Sequence, residues 1–170
     1  MKDFRHLFEA ELKDIYCAEK QVVEILPEMI RAARNPKLKE VFEEHLMETK
    51  GQLERLEKIA QEVGVDFAEA ESVAMKGLLK ECQRILKMNY LDQVLDAALI
   101  SMAQRIEHYE MAVYGVLRSF AKHMRLKDIE MLLAESERED AHTDRKLREI
   151  AEGSFFGDGV NGEACKRRSS

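Results

Sequence analysis

Tryptophan is absent from this chain, proline occurs twice, glycine eight times, and aromatic residues make up only 6%. A sheet-rich domain needs turn residues at short intervals and aromatic or β-branched faces, so this scarcity excludes a sandwich or barrel. Cysteine is sparse as well. Cys17, Cys82 and Cys165 are odd in number, far apart and in no C-x-x-C pair, which argues against a disulfide framework and against a zinc knuckle. They read as reduced thiols, two of them packed as small hydrophobes. No apolar run approaches the roughly 20 residues of a membrane span. Met1-Lys2-Asp3-Phe4-Arg5 has no apolar signal segment behind it, so the expectation is a cytoplasmic protein with no membrane partner. Positive charge is also short. With 27 Lys and Arg against 33 Asp and Glu, the net charge is −6, which speaks against a nucleic-acid partner, because displacing counterions from phosphates needs a basic face. Lys166-Arg167-Arg168 is too short to reverse that balance.

What is abundant is Glu, Lys, Leu, Ala and Arg, in a chain of 170 residues that is 35% charged, and this is the composition of one all-α domain. Four long segments carry apolar residues at helical spacing. The first runs from about Lys2 to Arg34 on Phe8, Leu12, Ile15, Val22, Leu26 and Met29. Asn35-Pro36 ends it, and Pro27 inside it predicts a kink or break. The second runs from about Lys37 to Val63 on Leu38, Val41, Leu56 and Ile59, with Gly64 as its C-terminal glycine. The third spans about Leu91 to Met124 on Leu95, Leu99, Met102, Ile106, Val113 and Leu117, and the fourth about Lys127 to Glu152 on Leu132, Leu147 and Ile150.

The first and second helices, and the third and fourth, are joined by only a few residues and must run antiparallel. The stretch from about Val65 to Tyr90, with its own helical pattern from Ser72 to Met88, is long enough to cross the length of a bundle. Two tight hairpins joined by a long crossover make a ferritin-like antiparallel four-helix bundle whose crossover carries a short extra helix. The bundle is expected over residues 1–152. Residues 153–170, with four glycines and no helical stripe, read as a flexible tail that Phe155 and Phe156 tack onto the bundle.

Each apolar stripe is interrupted near the middle of its helix, and each interruption is acidic or imidazole. Glu19 lies between Ile15 and Val22; His45 and Glu48, then Gln52, fill the gap in the second helix; Glu107 and Glu110 fill that in the third; Glu139, with Asp140 beside it and His142 three residues on, that in the fourth. In an antiparallel bundle these heights coincide in one layer. A layer of buried ionised carboxylates costs several kcal/mol per uncompensated charge, and few basic residues lie on the inner stripes beside it. Glutamates from two helices plus Glu and His at helical spacing from two others form the ligand set of di-iron and di-manganese carboxylate bundles. Glu139-Asp140-Ala141-His142 has the usual Glu-x-x-His order, whereas the second helix reads His45-Leu46-Met47-Glu48. Taken singly, each acid would be a boundary residue whose carboxylate reaches solvent, and His45 a hydrogen-bonded core histidine; their coincidence at one height favours metal. His142 lies toward the flank of its stripe. His6, His108 and His123 read as surface or hydrogen-bonding residues, and Glu54-Arg55 and Glu57-Lys58 as a solvated face.

The blocks Tyr16-Cys17-Ala18-Glu19-Lys20-Gln21, Phe42-Glu43-Glu44-His45-Leu46-Met47-Glu48-Thr49, Ala74-Met75-Lys76-Gly77-Leu78, Ala103-Gln104-Arg105-Ile106-Glu107-His108-Tyr109-Glu110 and Asp144-Arg145-Lys146-Leu147 resemble, in order and spacing, the YciF-type stress-protein family of the ferritin superfamily. The resemblance covers about residues 3 to 152. It implies a rubrerythrin-like bundle with a dinuclear metal centre, commonly a homodimer, in bacterial proteins associated with stress. The family's metal positions would fall on Glu19, Glu48, Glu107 and Glu139, with His45, Glu110 and Asp144 contributing. This chain departs from its relatives at Asp140 and His142.

The function expected is that of a non-haem di-iron protein, with manganese as the alternative metal, that reacts with dioxygen or peroxide to oxidise Fe(II) or consume peroxide. Tyr109, next to the site helix, is read as a packed residue that could also donate a hydrogen bond. Two other readings stand beside it: a structural or stress-protective helical dimer whose metal only staples the core, and a metal-free interaction module.

Overall fold

The computed structural model describes residues 3–154 and 157–166. Helix α1 spans Phe4–Ala32, α2 Pro36–Val63, α3 Val73–Leu86, α4 Asp92–His123 and α5 Lys127–Glu152. Beyond them, β1 (Gly153–Ser154) pairs antiparallel with β2 (Gly157–Asp158), and α6 covers Val160–Lys166. The all-α bundle expected from apolar periodicity is therefore present, with the short helix of the crossover where it was placed.

Local chemistry explains the boundaries. Asp3 caps α1 by accepting from the His6 backbone N–H at 3.1 Å. Asn35 accepts from Lys37 N and Leu38 N, and Pro36 sits in the first turn of α2, where no helical acceptor is needed for its missing N–H. Gly64 ends α2 in the left-handed region at φ 72°, as a C-terminal glycine should. Pro27 does not break α1. The helix continues through it to Ala32, because Val22, Ile25, Leu26 and Met29 are buried on both sides and hold the backbone in place.

Long-range contacts fix the directions. Phe4 packs edge-on against Phe120 at 4.7 Å, while at the other end of α1 the Arg34 and Asn35 backbone N–H groups donate to the two carboxylate oxygens of Asp96 at 2.7 and 2.9 Å, so α1 and α4 are antiparallel. Lys146 pairs with Glu44, and Arg55 Nε donates to Ser136 Oγ at 3.1 Å, which makes α2 and α5 antiparallel too. Both α2 and α4 therefore start at one end of the bundle, and α3 carries the chain back along its side, against α1 and α4. Asp96 ties the α1–α2 turn to the start of α4. Its replacement by alanine is expected to lower stability by about 1–3 kcal/mol in urea unfolding, since two backbone donors lose a charged acceptor; a change under about 0.5 kcal/mol would show that solvent satisfies them equally well.

The tail differs from expectation. Among the described residues it carries the β1–β2 pairing and α6, which packs on α4 and α5 with Val160 buried. Seven residues are too few to display a helical stripe, which is why periodicity alone assigned no helix there. Phe155 and Phe156 lie outside the described residues. Cys82 is buried, Cys17 half-buried and Cys165 exposed. No described helix is long and apolar enough to cross a membrane.

Candidate metal centre

Four helices each contribute acid or imidazole to one buried layer. On α1, Glu19 occupies the same face as Ile15 and Val22 and is fully buried. On α4, Glu107 and Glu110 continue the buried series Ala103, Ile106, Tyr114, Leu117, and both are 0% exposed. On α2, His45 is buried between Phe42 and Thr49. On α5, the buried series is Ile129, Leu133, Ser136, Asp140, Thr143 and Asp144, Leu147, Ala151.

His45, Glu107 and Glu110 each place one ligand atom within 4.8 Å of the others. His45 Nδ1 lies 2.7 Å from Glu107 Oε1, without the alignment of a hydrogen bond, and His45 Nε2 lies 3.8 Å from Glu110 Oε2. Glu19 Oε1 accepts from the Tyr114 hydroxyl at 2.7 Å, and Asp140 Oδ1 accepts from Gln52 Nε2 at 2.6 Å. The remaining ligand atoms have no hydrogen-bond partner: Glu19 Oε2, both oxygens of Glu107 and of Glu110, Asp140 Oδ2 and both nitrogens of His45. Among the described residues, no lysine or arginine is in ion-pair distance of Glu19, Glu107, Glu110 or Asp140.

Burial dominates the titration of these groups. It pushes Glu19 up to about 7, against the Tyr114 hydroxyl and the nearby His45, and it pushes Glu107 upward as well. Glu110 and Asp140 rise well above the ordinary carboxyl range, first from burial and then from the neighbouring charge of Glu19. For His45 burial acts to lower the pKa, but the Glu107 carboxylate beside it, then Glu19 and Glu48, overrule that and leave it raised. Tyr114 is driven far up by burial and by Glu19. Such a site is short of positive charge and rich in hard oxygen donors, the chemistry that Fe, Mn and other oxygen-seeking cations satisfy. The orphaned donors therefore fit a metal group.

The structure brings together Glu19, His45, Glu107 and Glu110 of the expected residues and treats the others differently. Glu48 is half-buried at the margin and accepts from Thr143 Oγ1 at 3.0 Å. Asp144 is buried but accepts from Gln104 Nε2 at 2.9 Å and Arg148 at 2.8 Å, with His108 Nε2 at 3.3 Å. Glu139 is turned to the edge, its side chain 24% exposed, and is held by Arg55 and, at 3.2 Å, by Gln52 Nε2. His142 is exposed and takes no part in the cluster, a correction to its place in the Glu-x-x-His pattern. The physical reason is helical phase. Leu132 and Ile150, used to set the stripe of α5, are only half-buried, and the buried face runs one position over, through Leu133, Asp140 and Leu147. That shift turns Asp140 inward in place of Glu139.

Three contributors were underweighted or missed. Asp140 was legible in the 129, 133, 136, 140, 144, 147, 151 series. Tyr114 follows Glu110 by four and so shares its face, but a tyrosine in an apolar stripe looks like ordinary core. Gln52 follows Glu48 by four, and only the fold shows its amide donating to Asp140. Tyr109 points elsewhere: it donates to Asp14, with Ser72 Oγ at 3.0 Å, on the side facing α1 and α3. A groove of about 940 Å³ lies between the start of α2 and the tail, and no residue of the cluster lines it.

Comparison with known proteins gives a consistent picture. The profile of a family described as "Domain of unknown function (DUF892)" matches residues 3–159. Protein YciF of Escherichia coli (strain K12) is 38% identical over 152 residues, 89% of this chain and 92% of that protein. The crystal structure of the E. coli stress protein YciF superposes with a TM-score of 0.85, covering 89% of this chain and 96% of that one. YcfI of Rhodopseudomonas palustris, whose structural role is itself a proposal, gives 0.83 at 34% identity, covering 88% and 96%. A protein of Xanthomonas campestris at 17% identity gives 0.75, covering 98% and 99%, and shows the fold alone.

Proposed function

This chain belongs to the DUF892 family, and on that premise we propose that its buried cluster holds two metal ions, iron first and manganese as the alternative, and that it reacts with dioxygen or peroxide in a ferroxidase- or peroxidase-like role under stress. The observation that supports this reading is the set of orphaned ligand atoms on Glu19, His45, Glu107, Glu110 and Asp140, buried together with no lysine or arginine beside them. Buried polar groups in folded proteins are almost always partnered, and a bound cation would partner all of these atoms at once.

Glu19, His45, Glu107, Glu110 and Asp140 would hold the ions, with Glu48 and Glu139 next in reach. Bound there, iron would supply one-electron redox chemistry, which hard carboxylate oxygens bias toward the ferric state. The chain's own residues do the rest. The Tyr114 hydroxyl fixes the orientation of Glu19, and the Gln52 amide fixes that of Asp140, as outer partners of ligands commonly do. The surrounding Ile15, Val22, Ile106 and Leu117 keep bulk water out. A second copy of the chain, as a homodimer, and a cytoplasmic setting belong to the same reading.

Elemental analysis of protein from iron-supplemented cells tests it. About two ions per chain are expected in the parent and in His142→Ala, and a loss of most of the metal in Glu107→Ala with helicity retained. A metal-free parent, or equal metal in all three, would sink the reading. The structural role proposed for R. palustris YcfI favours a second reading, in which metal only staples the helices. In that case the loaded protein binds iron but oxidises Fe(II) no faster than buffer does.

A further inference from the structure

We propose that Arg55 is a resident stand-in cation at the edge of the cluster, holding Glu139 outside it, and that the seam between α2 and α5 is the route by which metal reaches the site. This rests on the metal reading above. Along that seam the polar groups form an unbroken series from solvent inward. Glu135, its side chain 51% exposed, lies 3.5 Å from Arg55 Nη1; Arg55, its side chain 17% exposed, grips Glu139 and Ser136; Gln52 Nε2 donates to both Glu139 and Asp140; and Asp140 is buried in the layer.

Spacing on the two helices makes the series possible. Gln52 and Arg55 are three apart on α2, and Glu135 and Glu139 are four apart on α5, so each pair shares a face across the antiparallel contact. Arg55 was expected on a solvated face with Glu54. Instead it lies mostly covered, with its guanidinium on Glu139 at the rim of the layer. It reaches the cluster through two hydrogen-bonded steps, since it holds Glu139 and Gln52 donates to both Glu139 and Asp140.

A guanidinium and a metal ion compete for the same carboxylate oxygens. While Arg55 grips Glu139, that carboxylate is neutralised and turned away; once it lets go, Glu139 is free to turn inward beside Asp140. Gln52 is the pivot, because its amide already touches both acids and its own Oε1 is buried without a donor. Arg55 is thus a positioning residue that sets how readily the site loads.

The test uses the full chain stripped of metal and titrated with Co(II), read by its visible absorption. Arg55→Gln is expected to bind Co(II) about tenfold more tightly than the parent, the scale of one charge-assisted hydrogen bond removed from competition. In a Glu139→Gln background the same change is expected to make no difference. An Arg55→Gln protein that binds no more tightly, or a gain that persists without the Glu139 carboxylate, would overturn the proposal. A second readout needs no variant. In ¹⁵N NMR of the parent, the Arg55 Nη–H groups, which hold Glu139, are expected to exchange faster with solvent on addition of Zn(II), and an unchanged rate at saturation would count against it. A parent that binds neither ion removes the metal reading itself, and this inference with it.

Discussion

Stripped of metal, the protein is expected to become less stable as pH rises from about 4.5 through about 7, the opposite of what paired surface carboxylates produce. Glu19 carries its proton up to about 7 in the folded chain, against 4.5 as its ordinary value. Between those two values the native state holds a proton that the unfolded state has released, so the slope of stability against pH is negative. The stability is fully present below the unfolded value and is lost as pH rises through the folded one. For Glu19 alone the difference corresponds to about 3 kcal/mol. Glu107, Glu110 and Asp140 shift in the same direction, and their loss adds to it. His45 is also raised, so its contribution likewise fades at higher pH. Urea unfolding in the presence of a chelator at pH 5 and pH 8 measures this directly. Adding Mn(II) at pH 8 is expected to restore the stability, because an ion bound only by the native state stabilises it by mass action. Chelated protein that is more stable at pH 8 than at pH 5 would mean the acids are compensated in some other way.

The second large effect separates stability from binding. Glu110→Met replaces a buried carboxylate by an apolar side chain of similar length in a stripe that otherwise reads Ala103, Ile106, Tyr114, Leu117. Exchanging a buried, unsatisfied carboxyl for a packed hydrophobe removes a desolvation cost of about 1–3 kcal/mol, and a gain on that scale is expected in the metal-free protein at pH 8. The same variant is expected to lose metal affinity by more than about a hundredfold, beyond what the loss of an outer hydrogen-bond partner causes, since Glu110 converges directly with His45 and Glu107. Thermal melts with and without added Mn(II) give both numbers from one preparation. A variant less stable than the parent in chelator would show that Glu110 is an internal structural partner. A variant that still gains stability from Mn(II) would place the ions elsewhere.

Much of this architecture was legible before any fold was known. The long helices end within a few residues of where Asn35-Pro36 and Gly64 put them, because capping and backbone restriction are local effects. Glu19, His45, Glu107 and Glu110 were found because a polar residue on an otherwise apolar stripe must enter the core with its neighbours. The fourth helix went wrong by one position. With few apolar residues between Leu133 and Leu147, its stripe left two phases open, and one residue's rotation of about 100° separates Glu139 from Asp140. Pro27 misled in the other direction, since its local tendency to break the helix was overridden by packing on both sides.

By itself the amino-acid sequence determined the first five helices, their order, the long crossover and the height at which acid and imidazole gather, all consequences of periodicity and chain length within single segments. Which acid of α5 faces inward, the Tyr114 hydroxyl on Glu19, and the Arg55–Glu139–Gln52–Asp140 seam were decided only by tertiary structure. Each depends on how one helix is rotated against another, and that rotation is set by the packing of the whole core, which no single segment's pattern contains.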